Sequence, residues 1–286
     1  MAMTLFLGST PQPDHPTASL DLSGQTVLLL HAHPDDEAIF TGITARRLAD
    51  AGARVVLVTA TGGELGESLV PLAPGESVAQ RRLAELELAA ELLGVARLVL
   101  LGHRDSGLPG WAEGAHPDAL ITADADRLAR RVAEVALAEG AATVVHYDPM
   151  GIYGHPDHVM VHRVGAQAAR LAGATGYQAT VDREHLHFAG SDAHLVHGAA
   201  RAVDQLAGVC GRVTAEISLA VAGSSAHLQC KRDAIAVHAS QIPAGALRDA
   251  EFGEAYELEW YLREGPPGVL DRLGNVHALG RSAPVG

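Results

Sequence analysis

The strongest constraint on the fold is an alternation of short, wholly apolar runs with longer amphipathic ones. TVLLLHAH (Thr26 to His33) is a continuous apolar run that ends in polar residues, the pattern of a strand buried on both faces of a parallel sheet. From Glu37 the spacing of Ile39, Ile43 and Leu48 predicts a helix that stops at Gly52. The pattern then repeats. Strands are predicted at Ala53 to Thr61, Ala96 to Gly102 and Ala142 to Asp148, and helices at Ser77 to Gly94, Asp124 to Glu139 and Val159 to Ala172. Such an order predicts an α/β domain with a doubly wound, mostly parallel sheet of Rossmann-like topology and right-handed crossovers. Residues 1–22 read as an irregular lead-in, 23–175 as the catalytic core, 176–264 as a smaller C-terminal α+β part of the same domain that covers the site, and 265–286 as a loosely held tail. Within the C-terminal part, Arg212 to Val221 reads as a strand and Cys230 to Ile242 as a helix.

Ligands of such sheets sit beyond the carboxyl ends of the strands. Here each of the first four strands is followed by a polar motif: HAHPDDE, TGGELGE, GHRDSG and YDPMGIYGHPDH in turn. Four distant segments are therefore expected on one edge. Composition narrows what that edge meets. The formal net charge of −13, from 34 acidic against 21 basic side chains, disfavours phosphate backbones and anionic headgroups. Nucleic-acid and membrane partners are set aside, and a small molecule is expected. The first twenty residues lack a basic start and a long apolar core, and no window reaches the ~18 apolar residues of a membrane span, so a soluble, cytoplasmic protein is expected. Cys210 and Cys230 resemble no disulfide framework or metal-ligand pair and read as reduced thiols.

Two of the motifs carry chemistry. In HPDDE, the carboxylates of Asp35, Asp36 and Glu37 crowd beside His33, and unpaired they would destabilise the fold unless a helix N-terminus or a cation compensates. In YGHPDH, two histidines and an aspartate fall within four residues, which packing does not explain. His31, His103, His146, His162, His185, His187, His194, His197 and His227 are read as core or surface residues. His158 and His162, four apart, offer a second helical pair, less favoured than His155 and His158 beside HPDDE. Two imidazoles and a carboxylate with open positions suit a catalytic zinc and equally a non-haem iron(II) facial triad. By analogy of fold an iron oxygenase calls for a β-rich barrel, so alternating α and β favours hydrolysis. A nucleotide-binding Rossmann protein would need GxGxxG after the first strand, where HAHPDDE would instead repel phosphate.

HAHPDDEAIF together with YGHPDHVMVHR resembles the PIG-L/LmbE-like de-N-acetylases, and their mycothiol branch in particular. VTATGGELGE, RRLAELELAAELLGV, the RDSG of Arg104 to Gly107 and KRDAIAVHASQ (Lys231 to Gln241) extend the resemblance from Val27 to Gln241. It implies zinc held by His33, Asp36 and His158, with iron(II) as the alternative metal. It implies Asp35 as the general base that takes a proton from the activated water and returns it to the departing amine. His155 would be a charged electrophile facing the oxyanion, held by Asp157; Tyr153 would help polarise the carbonyl. Arg82 and Asp105 would contact the sugar or its aglycone. These roles suit the chemistry, since an amide carbonyl is a poor electrophile and one preorganised oxyanion donor is worth about 3 kcal/mol. Adjacent side chains diverge, so Asp35 is free for proton transfer when Asp36 ligates.

The implied activity is removal of an N-acetyl group from an N-acetylglucosamine-type amino sugar. A mycothiol S-conjugate amidase with a bulkier acyl group is the alternative within the same chemistry, and a non-catalytic sugar- or metal-binding protein lies outside it. PMGIYG stands where members of the branch often read NGGYG, so Met150 and Ile152 are expected to make the pocket wall more apolar. His185, His187, His194 and His197 fall in a region expected to cover the pocket.

Overall fold

Strands that are apolar on both faces need helices on both sides, and the chain meets that need by winding outward twice from one central strand. The computed structural model describes residues 20–188, 194–203, 209–247 and 249–274. In chain order the elements are β1 (Thr26–His31), α1 (Asp36–Asp50), β2 (Arg54–Thr61), α2 (Val78–Leu93), β3 (Arg97–His103), α3 (Ala125–Ala138), β4 (Thr143–Tyr147), the one-turn α4 (Gly151–Gly154), α5 (Pro156–Ala172) and β5 (Thr175–Thr180). Then come α6 (Arg183–Phe188), α7 (Leu195–Val203), β6 (Leu219–Ala222), α8 (Ser225–Val237), α9 (Asp249–Tyr256) and β7 (Leu258–Glu264).

The seven strands lie in the order β3-β2-β1-β4-β5-β7-β6. β1 to β5 are mutually parallel, with Leu29 opposite Leu57 on one side and Val145 on the other. β7 runs antiparallel to β5 and β6 antiparallel to β7. The C-terminal segment thus adds two strands to the same sheet. Every residue of β1 and of β4 is buried. Helices α1, α2 and α8 pack on one another, as do α3 and α5. Right-handed crossovers place these groups on opposite faces, because the winding reverses between β1 and β4. That reversal is the switch point at which the loops after β1 and β4 become neighbours.

Local chemistry sets the boundaries and explains where they depart from the sequence reading. α5 begins at Pro156, not Val159: proline is pre-organised for the first helical position, and the His155 ring caps the Asp157 N–H at 3.2 Å. Asp157 and His158 are thereby drawn into the first turn. The strand predicted at Arg212 to Val221 is reduced to Leu219–Ala222, preceded by a 3-10 turn at Thr214–Glu216. The helix predicted at Cys230 to Ile242 starts five residues earlier, where Ser224 and His227 form a capping box, and ends at Val237. His238, Ser240 and Gln241 therefore lie in the turn beyond it. The tail is not loose throughout, since Val269, Leu270 and Leu273 are buried. Leu22 is buried at the end of the lead-in, whose first nineteen residues lie outside the described residues, as does the tail after Gly274. Among the described residues no helix is long and apolar enough to cross a membrane. Cys210 and Cys230 are free thiols.

Candidate active site

The turn between β1 and α1 carries HPDDE, and its geometry is set by Asp35, a non-glycine residue at φ 118°. This left-handed backbone turns Asp35 and Asp36 in different directions. Asp36 points back at the sheet edge, where its Oδ2 accepts the main-chain N–H of His33 at 2.8 Å. The second turn, after β4, also contains a left-handed residue, Ile152 at φ 66°. Asp148 holds it: its Oδ1 accepts the N–H groups of Met150 (2.8 Å) and Ile152 (3.1 Å), while its Oδ2 accepts from Thr180. A β-branched residue in this region is a backbone outlier of the kind that concentrates at functional sites.

The two turns bring three ligand-type atoms together. His158 Nε2 lies 3.3 Å from His33 Nδ1 and 3.3 Å from Asp36 Oδ2, and the remaining side, His33 Nδ1 to Asp36 Oδ2, is 3.5 Å. Around a metal bound at about 2.05 Å a tetrahedron has edges of about 3.3 Å, so this triangle fits one face of it. All three residues are buried. Asp105, Asp157 and Asp36 together outweigh burial and hold His33 well above the usual histidine range. Burial opposes ionisation of Asp36, but His158 and His33 keep its carboxyl well below the usual carboxylate range. The donor set of two imidazoles and a carboxylate is one that could hold a divalent cation. A partner steadies each imidazole: Asp157 Oδ2 bonds to His33 Nε2 at 3.2 Å, and the His158 ring stacks on Tyr147 with centroids 4.4 Å apart. Such outer partners fix the orientation of metal-binding rings.

Asp35 stands apart from the triangle. Its Oδ2 meets Arg82 Nη2 at 3.2 Å, and burial raises its pKa to about 6 against the opposing pull of Arg82. A carboxylate so poised is suited to exchanging protons near neutrality. Arg82 is buried and already engaged, donating to the carbonyls of Gly63 (2.7 Å) and Pro34 (2.6 Å). It therefore braces Asp35 as well as lining the pocket.

The role expected of His155 is that of a charged electrophile, and in this structure its surroundings do not favour the charge. Its Nδ1 accepts the Asp157 N–H, and burial, with His33 and His158 adding to it, pushes its pKa well below the usual histidine range. With Nδ1 occupied as an acceptor, Nε2 is the nitrogen left to donate. Nor does the Asp157 carboxylate hold His155: it bonds to the His33 ring and accepts the Ser106 N–H at 3.0 Å. Tyr153 Oη lies 3.2 Å from His158 Nε2, and burial keeps the phenol protonated by pushing its pKa well up. Asp105 Oδ1 lies 3.7 Å from His33 Nε2 and accepts the Gly107 N–H, which ties its carboxylate to the pocket wall.

A cavity of about 560 Å³ opens over these groups, lined by His33, Asp35, Asp36, Arg82, Asp105, Tyr153 and His155 with Leu65, Gly66, Glu67, Gly107, Leu108, Trp111, Ala202 and Gln241. Its apolar wall comes from Leu65, Leu108 and Trp111. The expectation for Met150 and Ile152 is not met: neither lines the cavity, and Ile152 is fully buried. His185, His187, His194 and His197 do not line it either; His194 is buried against Tyr256, with ring centroids 4.4 Å apart. His162 bonds to the Tyr147 carbonyl, which removes it from a ligand pair with His158. His31 is a buried structural histidine between Tyr147 Oη and Thr41 Oγ1, each at 2.9 Å. Sequence reasoning passed over Trp111, an aromatic in a Gly/Pro loop, and Gln241, the last residue of KRDAIAVHASQ.

An aspartate standing outside a His/Asp triangle that could hold a metal, at the switch point of a doubly wound sheet, points to the class of metal-dependent hydrolases. Residues 28–169 match the family described as PIG-L, GlcNAc-PI de-N-acetylase. Over 244 residues the chain is 37% identical to a 1D-myo-inositol 2-acetamido-2-deoxy-alpha-D-glucopyranoside deacetylase of Salinispora arenicola, a match covering 78% of each chain. The chain belongs to this family. Among solved structures it is similar to an N,N'-diacetylchitobiose deacetylase from Pyrococcus horikoshii, with TM-score 0.52, 23% identity and 84% of each chain covered. It is also similar to a 4-carboxy-2-hydroxymuconate hydratase from Pseudomonas putida, with TM-score 0.56, 17% identity and coverage of 86% of this chain and 98% of that one. A fold shared with a hydratase shows architecture alone.

Proposed function

We propose that this protein is a zinc-dependent de-N-acetylase of an N-acetylglucosamine unit joined to inositol or a similar neutral polyol. The observation that carries the reading is the triangle of His33 Nδ1, Asp36 Oδ2 and His158 Nε2 with sides of 3.3–3.5 Å, beside an aspartate that does not join it. Those sides suit a tetrahedral ion better than the edges of about 2.9 Å that an octahedral ion would have at the same bond length, which supports zinc over iron(II). Relatives named as deacetylases of an acetamido-glucopyranosyl inositol support the substrate class. The acidic lining contributed by Asp35, Asp36, Glu67 and Asp105 disfavours a phosphorylated aglycone.

When bound, zinc supplies Lewis acidity toward the acetyl carbonyl and an acidified water. Asp35 accepts the proton of the attacking water on its carboxylate and delivers it to the departing sugar nitrogen. His155 Nε2–H and the Tyr153 hydroxyl donate to the oxygen on which negative charge develops. Leu65, Leu108 and Trp111 shield one side of the cavity from water, while Glu67 and Gln241 accept and donate to sugar hydroxyls.

The test is release of free amine and acetate from N-acetylglucosaminyl-inositol by purified protein with metal content measured. Turnover that disappears on chelation and returns with zinc is expected. Full activity of metal-free protein, or zinc binding with no amide hydrolysis on this substrate or an S-conjugated one, would refute the proposal.

A further inference from the structure

The strained base is held from behind by a pair of buried side chains. Asp35 sits at φ 118°, a region that non-glycine residues enter only when their surroundings compel it. Its carbonyl is committed to α1, accepting the N–H groups of Ala38 and Ile39. Its own N–H is taken by Glu37 Oε2 at 3.0 Å. The other oxygen of that carboxylate, Oε1, accepts from His238 Nε2 at 2.7 Å, and both side chains are almost wholly removed from solvent. His238 comes from the turn after α8, about two hundred residues along the chain. There the neighbouring Ser240 ties α2 down by donating to Glu85 Oε2 at 2.6 Å. Neither Glu37 nor His238 lines the cavity.

We propose that Glu37 and His238 are positioning residues: the imidazole fixes the carboxylate, and the carboxylate fixes the left-handed backbone that aims Asp35 into the cavity. This inference rests on the proposed de-N-acetylase reading, in which Asp35 is the base. Without an acceptor for its N–H, Asp35 relaxes to negative φ and its carboxylate swings away from the reacting water, while the triangle of His33, Asp36 and His158 stays in place. Misplacing a catalytic group by about 1 Å costs on the order of 10²-fold in rate.

Glu37→Leu removes the acceptor at nearly constant volume, whereas Glu37→Gln keeps an oxygen for the Asp35 N–H. His238→Leu removes the support, and His238→Gln returns an N–H donor near the position of Nε2. In zinc-loaded protein the expected result is a roughly 10²-fold loss of kcat in Glu37→Leu, with KM within about twofold and zinc stoichiometry unchanged. His238→Leu is expected to lose less, and both Gln variants to recover most of the wild-type kcat. A crystal structure of Glu37→Leu should show Asp35 at negative φ. Should Glu37→Leu fail to fold, the two His238 variants carry the same comparison. Asp35 remaining near φ 118° in Glu37→Leu, kcat within threefold of wild type, or equal loss in the Leu and Gln variants would each overturn the inference. A wild-type protein inactive on every N-acetylated sugar would instead sink the functional reading, and the backbone angle would still decide the positioning claim.

Discussion

Lys231→Met tests how the core of this fold supports its site. Lys231 Nζ lies 2.7 Å from Glu259 Oε1, and each side chain is 1% exposed. The same carboxylate accepts two main-chain N–H groups from the middle of α1, those of Ile43 and Thr44, each at 2.8 Å, and the Tyr261 hydroxyl at 3.3 Å. Burial lowers the pKa of Lys231 and Glu259 pulls it back, so the ammonium depends on its partner. Removing one member of a buried pair typically costs about 3–5 kcal/mol, because the charge left behind is uncompensated. Three donors to Glu259 survive in Lys231→Met, which places its loss near 3 kcal/mol. Glu259→Ala strands the ammonium and two backbone N–H groups, adding about 1–3 kcal/mol for each orphaned donor. At about 2–4 °C per kcal/mol for chains approaching this length, Lys231→Met should melt on the order of 10 °C below wild type. Urea unfolding followed by circular dichroism, with calorimetric Tm, measures both variants. A loss below 1 kcal/mol for Lys231→Met, or one larger than that of Glu259→Ala, would refute the reasoning.

Asp35→Ala should retain one zinc per chain and lose turnover, whereas His158→Ala should lose both; elemental analysis beside an acetate-release assay separates the two. Trp111 is 46% exposed at the cavity mouth, so Trp111→Ala should raise KM several-fold with kcat nearly unchanged, as read from initial-rate kinetics. A β-carbon at Gly165 would stand 2.3 Å from the His146 Cβ, so Gly165→Ala should push α5 off β4 and cost about 1–3 kcal/mol in urea unfolding.

The parallel half of the fold was legible because its strands are apolar throughout and its helices carry caps that sequence displays, such as Ser77 with Gln80 and Gly94 in the left-handed C-cap position of α2. The convergence of HPDDE and HPDH followed from the rule for strand ends. Less legible were β5 and β7, whose TGYQAT and LEWYLRE mix polar residues into buried strands: Gln178 and Glu259 are buried yet hydrogen-bonded, a satisfaction that only tertiary contacts reveal. The start of α8 was less legible because its first turn, Ser225 to Leu228, is held by the Ser224–His227 capping box rather than by a run of apolar residues. In the site, the meeting of His33, Asp36 and His158 was readable, and the orientations of the side chains around them were not. That Asp157 serves His33 rather than His155 depends on a helix starting three residues early. That Arg82 braces Asp35 depends on how the loop through Gly63 folds back over it.

The separation of the two site turns has a consequence for biogenesis. His33 and His158 stand 125 positions apart and meet only when β4 has docked beside β1. During synthesis the first two would-be ligands leave the ribosome long before the third, and neither turn alone offers more than a weak grip on an ion. On the proposed reading, metal capture would report completion of the central sheet, and an ion held there would stabilise the finished arrangement over any fragment of it. A chain stalled before α5 should be as poor at retaining zinc as an unfolded one.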